Sequence, residues 1–267
     1  MILELLNYSF FKHALIASLL ASIICGIIGT IVIEKRLVLM GGGIAHASFG
    51  GIGLGYLLGF EPIIGALFFA VGSGFFLNKV QEGHNSKKDA IMGMFWATGM
   101  ALGILFISFT PGYPPDMTSY LFGDILTVSK GYLNIMAGLT VVLIIVIIPF
   151  MSYWKSYLLD PEFFQVIGYN KKFFDNILIT LVSLSIVILI KVVGIILVIS
   201  LLTVPPTIAK LHSKNISGIM LLSSLIGLFL CITGLLSSYM FNIPSGATII
   251  ILSAIVLVIN LVIKSKK

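Results

Sequence analysis

The stretch from Leu139 to Phe150, "LTVVLIIVIIPF", contains no charged residue, and Thr140 is its one polar side chain. A second run, Thr180 to Ile190, reads "TLVSLSIVILI" and is equally free of charge. Surface helices of soluble proteins keep a polar face, and these runs have none. Crossing the hydrocarbon of a bilayer takes about 20 apolar residues. Composition agrees: 58% of the 267 residues are hydrophobic and 10% are charged, where globular domains have about 25% charged. The polar–apolar alternation of a transmembrane barrel is absent. The sequence therefore predicts an all-α, polytopic transmembrane helical bundle of about 8–9 spans.

Working outward from these runs, spans are expected near 12–33, 37–58, 62–80, 90–109, 131–152, 176–190, 193–210, 216–240 and 246–263. Basic residues then set the orientation, because cytoplasmic loops collect Lys and Arg. Lys35, Arg36, Lys79, Lys87, Lys88, Lys155, Lys171, Lys172, Lys210, Lys214 and the three terminal lysines fall on one side. Only Lys12, Lys130 and Lys191 fall on the other, so the N-terminus is expected outside and the C-terminus in the cytoplasm. The net charge of +6 is accounted for by topology, and no nucleic-acid partner is expected. Lys12 precedes an apolar run that continues to Val32, longer than the core of a cleaved signal, so a retained span is expected. Cys25 and Cys231 lie within spans and lack metal-type CxxC spacing, which makes them packing residues.

Three stretches interrupt the apolar text. Thr110 to Tyr132, "TPGYPPDMTSYLFGDILTVSKGY", has three prolines and reads as an outside loop followed by a short or re-entrant segment. Tyr153 to Asp175, "YWKSYLLDPEFFQVIGYNKKFFD", mixes aromatic, acidic and basic residues and reads as a short amphipathic helix at the cytoplasmic surface. "FNIPSGA", Phe241 to Ala247, is an outside turn between the last two spans. The chain holds no G-x-x-x-x-G-K-[ST], no H-E-x-x-H and no G-x-S-x-G, so phosphate-cradling, zincin and serine-hydrolase chemistry lack their residues. No catalytic residue is assigned and no enzyme activity is expected of the chain.

Few polar side chains remain at membrane depth: His46, Asp124, Lys191 and Asn242. Asp124 is placed near the outer interface or a wet cavity, where it could cap a helix or meet a substrate. Lys191 divides two apolar runs and reads as a turn marker that snorkels to the interface. His46 sits in "MGGGIAHASFGGIGLGY", Met40 to Tyr56. Imidazole is the commonest metal ligand near neutral pH. Gly42, Gly43, Gly50 and Gly53 lie at helical spacings from it, and Ser48 is close by. These glycines admit either a cation or water file, or a closely packed neighbouring helix to which His46 hydrogen-bonds.

"EKRLVLMGGGIAHASFGGIGLGY" resembles the second-span signature of the permease subunits of ABC importers for zinc, manganese and iron(II). "YLFGDILTVS", "LLDPEFFQVIGYN", "VVGIILVISLLTVPPTIAKL" and "NIPSGATIIIL" resemble the same family in the same order, from residue 34 to about 252. The resemblance implies a type II ABC importer-like permease in an integral prokaryotic plasma membrane, one permease domain over 1–267. It implies a permease homodimer in membrane lipid, two cytoplasmic ABC ATPase subunits that bind the ATP, and an extracellular metal-binding solute-binding protein. No cofactor would be held tightly; Zn2+, or Mn2+ or Fe2+, would be cargo. The path would be lined by His46, Gly42, Ser48, Asp124 and Asn242, with His46 the metal ligand. The cytoplasmic segment near 155–175 would be the coupling helix, using Asp160, Glu162, Phe163, Phe164, Val166 and Gly168.

Two positions depart from the family pattern. Members often carry an acid four residues before the histidine, and that position is Gly42; an aspartate common before "P-S-G" is Asn242 here. Zinc takes imidazole readily and manganese favours carboxylate oxygen, so the loss points to zinc, as does the "AHAS" context. A secondary transporter would need several midplane charges that this chain lacks. A purely structural subunit would need neither the histidine nor the coupling segment.

Overall fold

The structure is a computed structural model and describes residues 8–83, 87–112, 117–123 and 125–265. Its helices, in chain order, are α1 (Ser9–Glu34), α2 (Val38–Leu58), α3 (Pro62–Glu82), α4 (Lys88–Ser108), α5 (Met117–Phe122), α6 (Lys130–Ile147), α7 (Met151–Leu159), α8 (Pro161–Val166), α9 (Lys171–His212), α10 (Ile216–Phe241) and α11 (Ser245–Ser265). A single 3-10 turn, Ile125–Thr127, separates α5 from α6. No strand occurs among the described residues, and eight of the helices are long and apolar enough to cross a membrane.

The expected spans 176–190 and 193–210 fall within one element, the 42-residue α9. A straight helix of that size would measure about 63 Å, twice the hydrocarbon thickness of about 30 Å. It is not straight: Gly194 has φ 78° and ψ 162°, outside helical geometry. The arms 171–193 and 195–212 are each long enough for one crossing, so eight long helices accommodate the nine crossings read from the sequence. The break lies at Gly194 rather than at Lys191, which remains helical with its ammonium 5.1 Å from the Tyr132 ring centre.

The chain forms two compact units. The first comprises Met1–Lys35, Thr118–Leu159 and Ile188–Lys267. Its central helix is α1, whose inner length from Ala21 to Val32 is buried almost throughout. Helix α10 packs along α1, and α6 and the 3-10 turn also touch it. Membrane helices associate through close van der Waals packing where side chains are small. Accordingly, a Cβ on Gly26 of α1 would overlap Ser224 of α10, and one on Gly29 would lie 2.5 Å from the Leu202 carbonyl oxygen. Hydroxyls in these helices bond back to their own turns, as Ser18 donates to the Ala14 carbonyl at 2.8 Å and Thr30 to Gly26 at 2.6 Å. With no water in the hydrocarbon, such donors must be satisfied internally.

Side chains of this unit tie α9 on both sides of its break. Before it, in the first arm, the Tyr132 hydroxyl at the head of α6 donates to the Ile188 carbonyl at 2.9 Å. At the end of the second arm, Lys210 pairs with Glu34 at the end of α1, 2.9 Å apart. The break itself is held by three backbones. A Cβ on Gly194 would strike the backbone of Leu121, Phe122 and Gly123; one on Gly123, at φ 70°, would strike Val193 and Gly194; one on Gly246 would strike the Phe122 carbonyl. The glycines of "LFGD", "VVGI" and "PSGA" therefore meet at one crossing, where any side chain is excluded.

The second unit comprises Arg36–Met117 and Asp160–Val187. Here α2 packs against both α3 and α4. Gly59 closes α2 in the left-handed region (φ 73°), the Phe60 N–H returns to the Gly55 carbonyl at 3.1 Å, and Pro62 opens α3. That corner turns α3 back along α2.

Candidate functional site

The glycines of α2 have separate tasks. Gly51 faces the backbone of Gly65 on α3, and Gly53 faces Gly103 on α4, whose carbonyl oxygen would lie 2.5 Å from an added Cβ. From the other side, a Cβ on Gly99 would lie 2.6 Å from the His46 carbonyl oxygen and 2.8 Å from Ala47 Cα. These positions serve helix-to-helix contact, the packing alternative that the spacing left open. Gly42 differs, because what covers it is an indole. A Cβ on Gly42 would fall on the six-membered ring of Trp96, whereas one on Gly43 would meet Leu77 Cδ1 at 2.7 Å, with Trp96 Nε1 farther off at 3.4 Å.

Trp96 belongs to α4, and its Nε1–H donates to the Leu39 carbonyl of α2 at 3.0 Å. Its ring lies 5.3 Å from the His46 ring, tilted by 33°. His46 is half-buried, and its Nδ1 is shielded from solvent without a hydrogen-bond partner among the described residues. An imidazole nitrogen without a donor or acceptor is available as a ligand. No acidic side chain can stand beside it at position 42 while the indole is there. Ser48 is buried, and its hydroxyl donates to the Ala45 carbonyl at 2.6 Å within its own helix.

A recess of about 380 Å³ opens beside this region between α2, α3 and α4, lined by Ala47, Phe69, Ser73, Phe76, Phe95 and Thr98 among others. It is almost wholly apolar, and its hydroxyls are committed: Ser73 donates to Ala70 at 3.0 Å and Thr98 to Met94 at 2.9 Å. Among the described residues, no group of three or more His, Cys, Asp and Glu side chains could hold a metal ion. One chain thus offers a single nitrogen donor here.

Asn242 belongs to the first unit, exposed at the end of α10. It adopts φ 53° and ψ 46°, and its N–H returns to the Ser238 carbonyl. Asparagine is among the few residues that tolerate this left-handed cap. Asp124 lies outside the described residues. Cys25 and Cys231 are buried and unpaired by disulfide, as packing residues should be.

The segment from Asp160 to Gly168 has the cap and the stop expected of it. Asp160 caps α8, its Oδ1 accepting from the N–H groups of Glu162 at 3.1 Å and Phe163 at 2.9 Å. Pro161 opens the helix, and Gly168 ends the turn at φ 92°. Phe163 and Val166 are 56% and 83% exposed, but Phe164 is completely buried. Its ring stacks on Tyr169 at 4.9 Å and meets Phe174 edge-on at 5.0 Å. Phe164 therefore anchors α8 within its own unit, and the exposed apolar surface of the helix is left to Phe163 and Val166. In a six-residue helix with apolar residues on every face, spacing does not reveal which one turns inward.

Trp96 is the residue that the sequence reading missed. Nothing in helical spacing links it to His46, fifty positions away along the chain. The available signal was chemical: an indole N–H inside a span needs an acceptor, and a glycine-rich helix exposes carbonyls.

A bundle of eight helices long and apolar enough to cross a membrane, packed through close glycine contacts, defines a polytopic membrane protein. Residues 7–264 match the ABC 3 transport family. The chain is 38% identical to an uncharacterized membrane protein of Synechocystis, over 97% of this chain and 92% of that one. It is 32% identical to the manganese transport system membrane protein MntC of Listeria monocytogenes, over 98% and 94%. It also superimposes on a chain of PsaBC from Streptococcus pneumoniae, solved in complex with Fab, with a TM-score of 0.87, 27% identity, and 97% and 95% coverage. The chain belongs to the ABC 3 transport family and is a permease of the ABC metal importers that its motifs resemble.

Proposed function

We propose that this chain is the membrane-spanning subunit of an ATP-driven importer whose cargo is manganese, and that His46 lines the path taken by the ion. The observation that supports the path reading is the His46 imidazole, whose shielded Nδ1 has no hydrogen-bond partner among the described residues, on the glycine-rich α2. Manganese is favoured by the printed function of the Listeria relative. Zinc remains the second reading, favoured by the donor set, since one imidazole without a carboxylate suits zinc better than manganese.

The working assembly would be two copies of this permease domain with two cytoplasmic ATPases that bind ATP and an extracellular solute-binding protein that supplies the ion. Nine crossings are consistent with an outside N-terminus and a cytoplasmic C-terminus. Asp124, Asn242 and Ser48 are the further residues proposed to line the path. The capped α8 would dock on the ATPase through Phe163 and Val166, with Asp160, Glu162, Phe164 and Gly168 shaping the segment. Phe163→Ala with Val166→Ala should then release the ATPase on co-purification and leave the permease intact. Retention of the ATPase by that double variant would remove the docking role.

The deciding experiment is uptake of labelled Mn2+ and Zn2+ by cells that depend on this permease. His46→Ala should lower uptake at least tenfold at unchanged membrane abundance, since a path ligand contributes to passage rather than to folding. Loss of the protein from the membrane would instead make His46 a packing residue. The faster of the two labelled ions in the unmodified permease identifies the cargo.

A further inference from the structure

We propose that Trp96 is a specificity-determining residue of the transport path, holding the place that an acidic side chain at position 42 would need and presenting His46 with a π surface instead. The inference rests on the reading that His46 lines that path. Three contacts carry it. The indole ring lies where a Cβ on Gly42 would be. Its N–H is fixed to the Leu39 carbonyl at 3.0 Å, on the same helix as His46. Its ring stands 5.3 Å from the imidazole.

Positions 42 and 46 are four apart on α2 and so share one face. A side chain at 42 would stand beside the imidazole, and in this chain that volume belongs to an aromatic ring. The chemical consequence follows from the donors. An ion reaching His46 meets one neutral nitrogen and a ring face, with no anionic oxygen from residue 42. Cations are attracted to the indole face through its quadrupole, more weakly than to a carboxylate. The ion keeps more of its water, is held less tightly and leaves sooner, as conduction through a path requires. Trp96 also restrains the imidazole laterally, so removing it loosens the ligand as well as opening the space.

The experiment compares Trp96→Phe, Trp96→Ala, Gly42→Asp and the double variant Gly42→Asp with Trp96→Ala, in the whole importer with its ATPase. Uptake of labelled Mn2+ and Zn2+ is measured separately and expressed per permease molecule in the membrane, so that a change in abundance does not enter the ratio. Trp96→Phe keeps a ring and should hold the ratio of the two ions near that of the unmodified protein. Trp96→Ala should lower uptake of both ions about fivefold, the size of a cation–π contact of ~1 kcal/mol. Gly42→Asp alone should be depleted from the membrane, because the new side chain meets the indole. The double variant should return to the membrane and raise the Mn2+ to Zn2+ ratio about tenfold, because manganese favours carboxylate oxygen. Unchanged rates and ratio in Trp96→Ala, with uptake lost in His46→Ala, would overturn the role of Trp96. Gly42→Asp as abundant as the double variant would overturn the exclusion. Unchanged uptake in His46→Ala would remove the path reading and this proposal with it.

Discussion

Both compact units bring backbones together on glycine, but for different reasons. In the first, Gly123 and Gly194 adopt φ of 70° and 78° at a point where α9 breaks and the short segment ending at Phe122 presses against it. In the second, Gly51, Gly53, Gly99 and Gly103 lie within regular helices, and what they supply is closeness between α2 and its neighbours. The first crossing needs glycine twice over, for its dihedral angles and for its lack of a Cβ. The second needs only the missing Cβ. Glycine content alone does not distinguish them. The distinction decides which substitutions the protein can absorb by small helix shifts and which it cannot.

The largest effect should therefore come from Gly194→Ala. A dihedral pair of 78° and 162° lies in a region essentially restricted to glycine and costs about 1–3 kcal/mol for other residues. The new Cβ would also strike the backbone of Leu121 to Gly123, which has no flexible end to move aside. Size-exclusion profiles of the detergent-solubilised permease should show no monodisperse species for this variant. A folded Gly194→Ala would show that the break is incidental and that the two crossings are of one kind.

Gly51→Ala should come next. Its dihedrals are helical, so only the overlap with the Gly65 backbone opposes it. Helices α2 and α3 must separate slightly, at about 1–3 kcal/mol for an overpacked site. A lowered melting temperature with a retained folded peak is the expected result. Complete loss of fold would place this contact in the same class as the break at Gly194.

The two crossings also differ in how far they could be read from the sequence. The uncharged runs from Leu139 and Thr180 sufficed for spans, because the length needed to cross hydrocarbon is a fixed physical requirement. The cap at Asp160 and the stop at Gly168 were legible because capping acts over neighbouring residues. The position of the break in α9 was displaced: Lys191 marks the polar interruption, whereas the backbone turns at Gly194, and helical hydrogen bonding on either side leaves no loop composition between them. The expected zinc preference has no support among the relatives described, the Listeria protein being a manganese transport system membrane protein by name. At the candidate site, His46 and its glycines were visible as a local pattern. Trp96 was not, because contacts between helices fifty residues apart leave no periodic trace. The inward turn of Phe164 was hidden for a related reason, an apolar residue being available for either side of α8.

The smallest effect should come from Gly138→Ala on α6, and it tests whether contact or mere glycine content is what matters. A Cβ at Gly138 would meet nothing within 4 Å, and the residue lies in the middle of a regular helix. Neither the dihedral requirement of the first crossing nor the closeness of the second applies to it. Alanine is favoured over glycine in a helix interior by roughly 1 kcal/mol, so the variant should gain stability where the other two lose it. For a chain of this size such a gain corresponds to a rise in melting temperature of about 2–4 °C. The measurement is a thermal melt of the purified permease in detergent beside Gly51→Ala. A fall for Gly138→Ala comparable to that of Gly51→Ala would mean that a further surface packs on this face of α6, with its glycine assigned to the same close-contact class as those of α2.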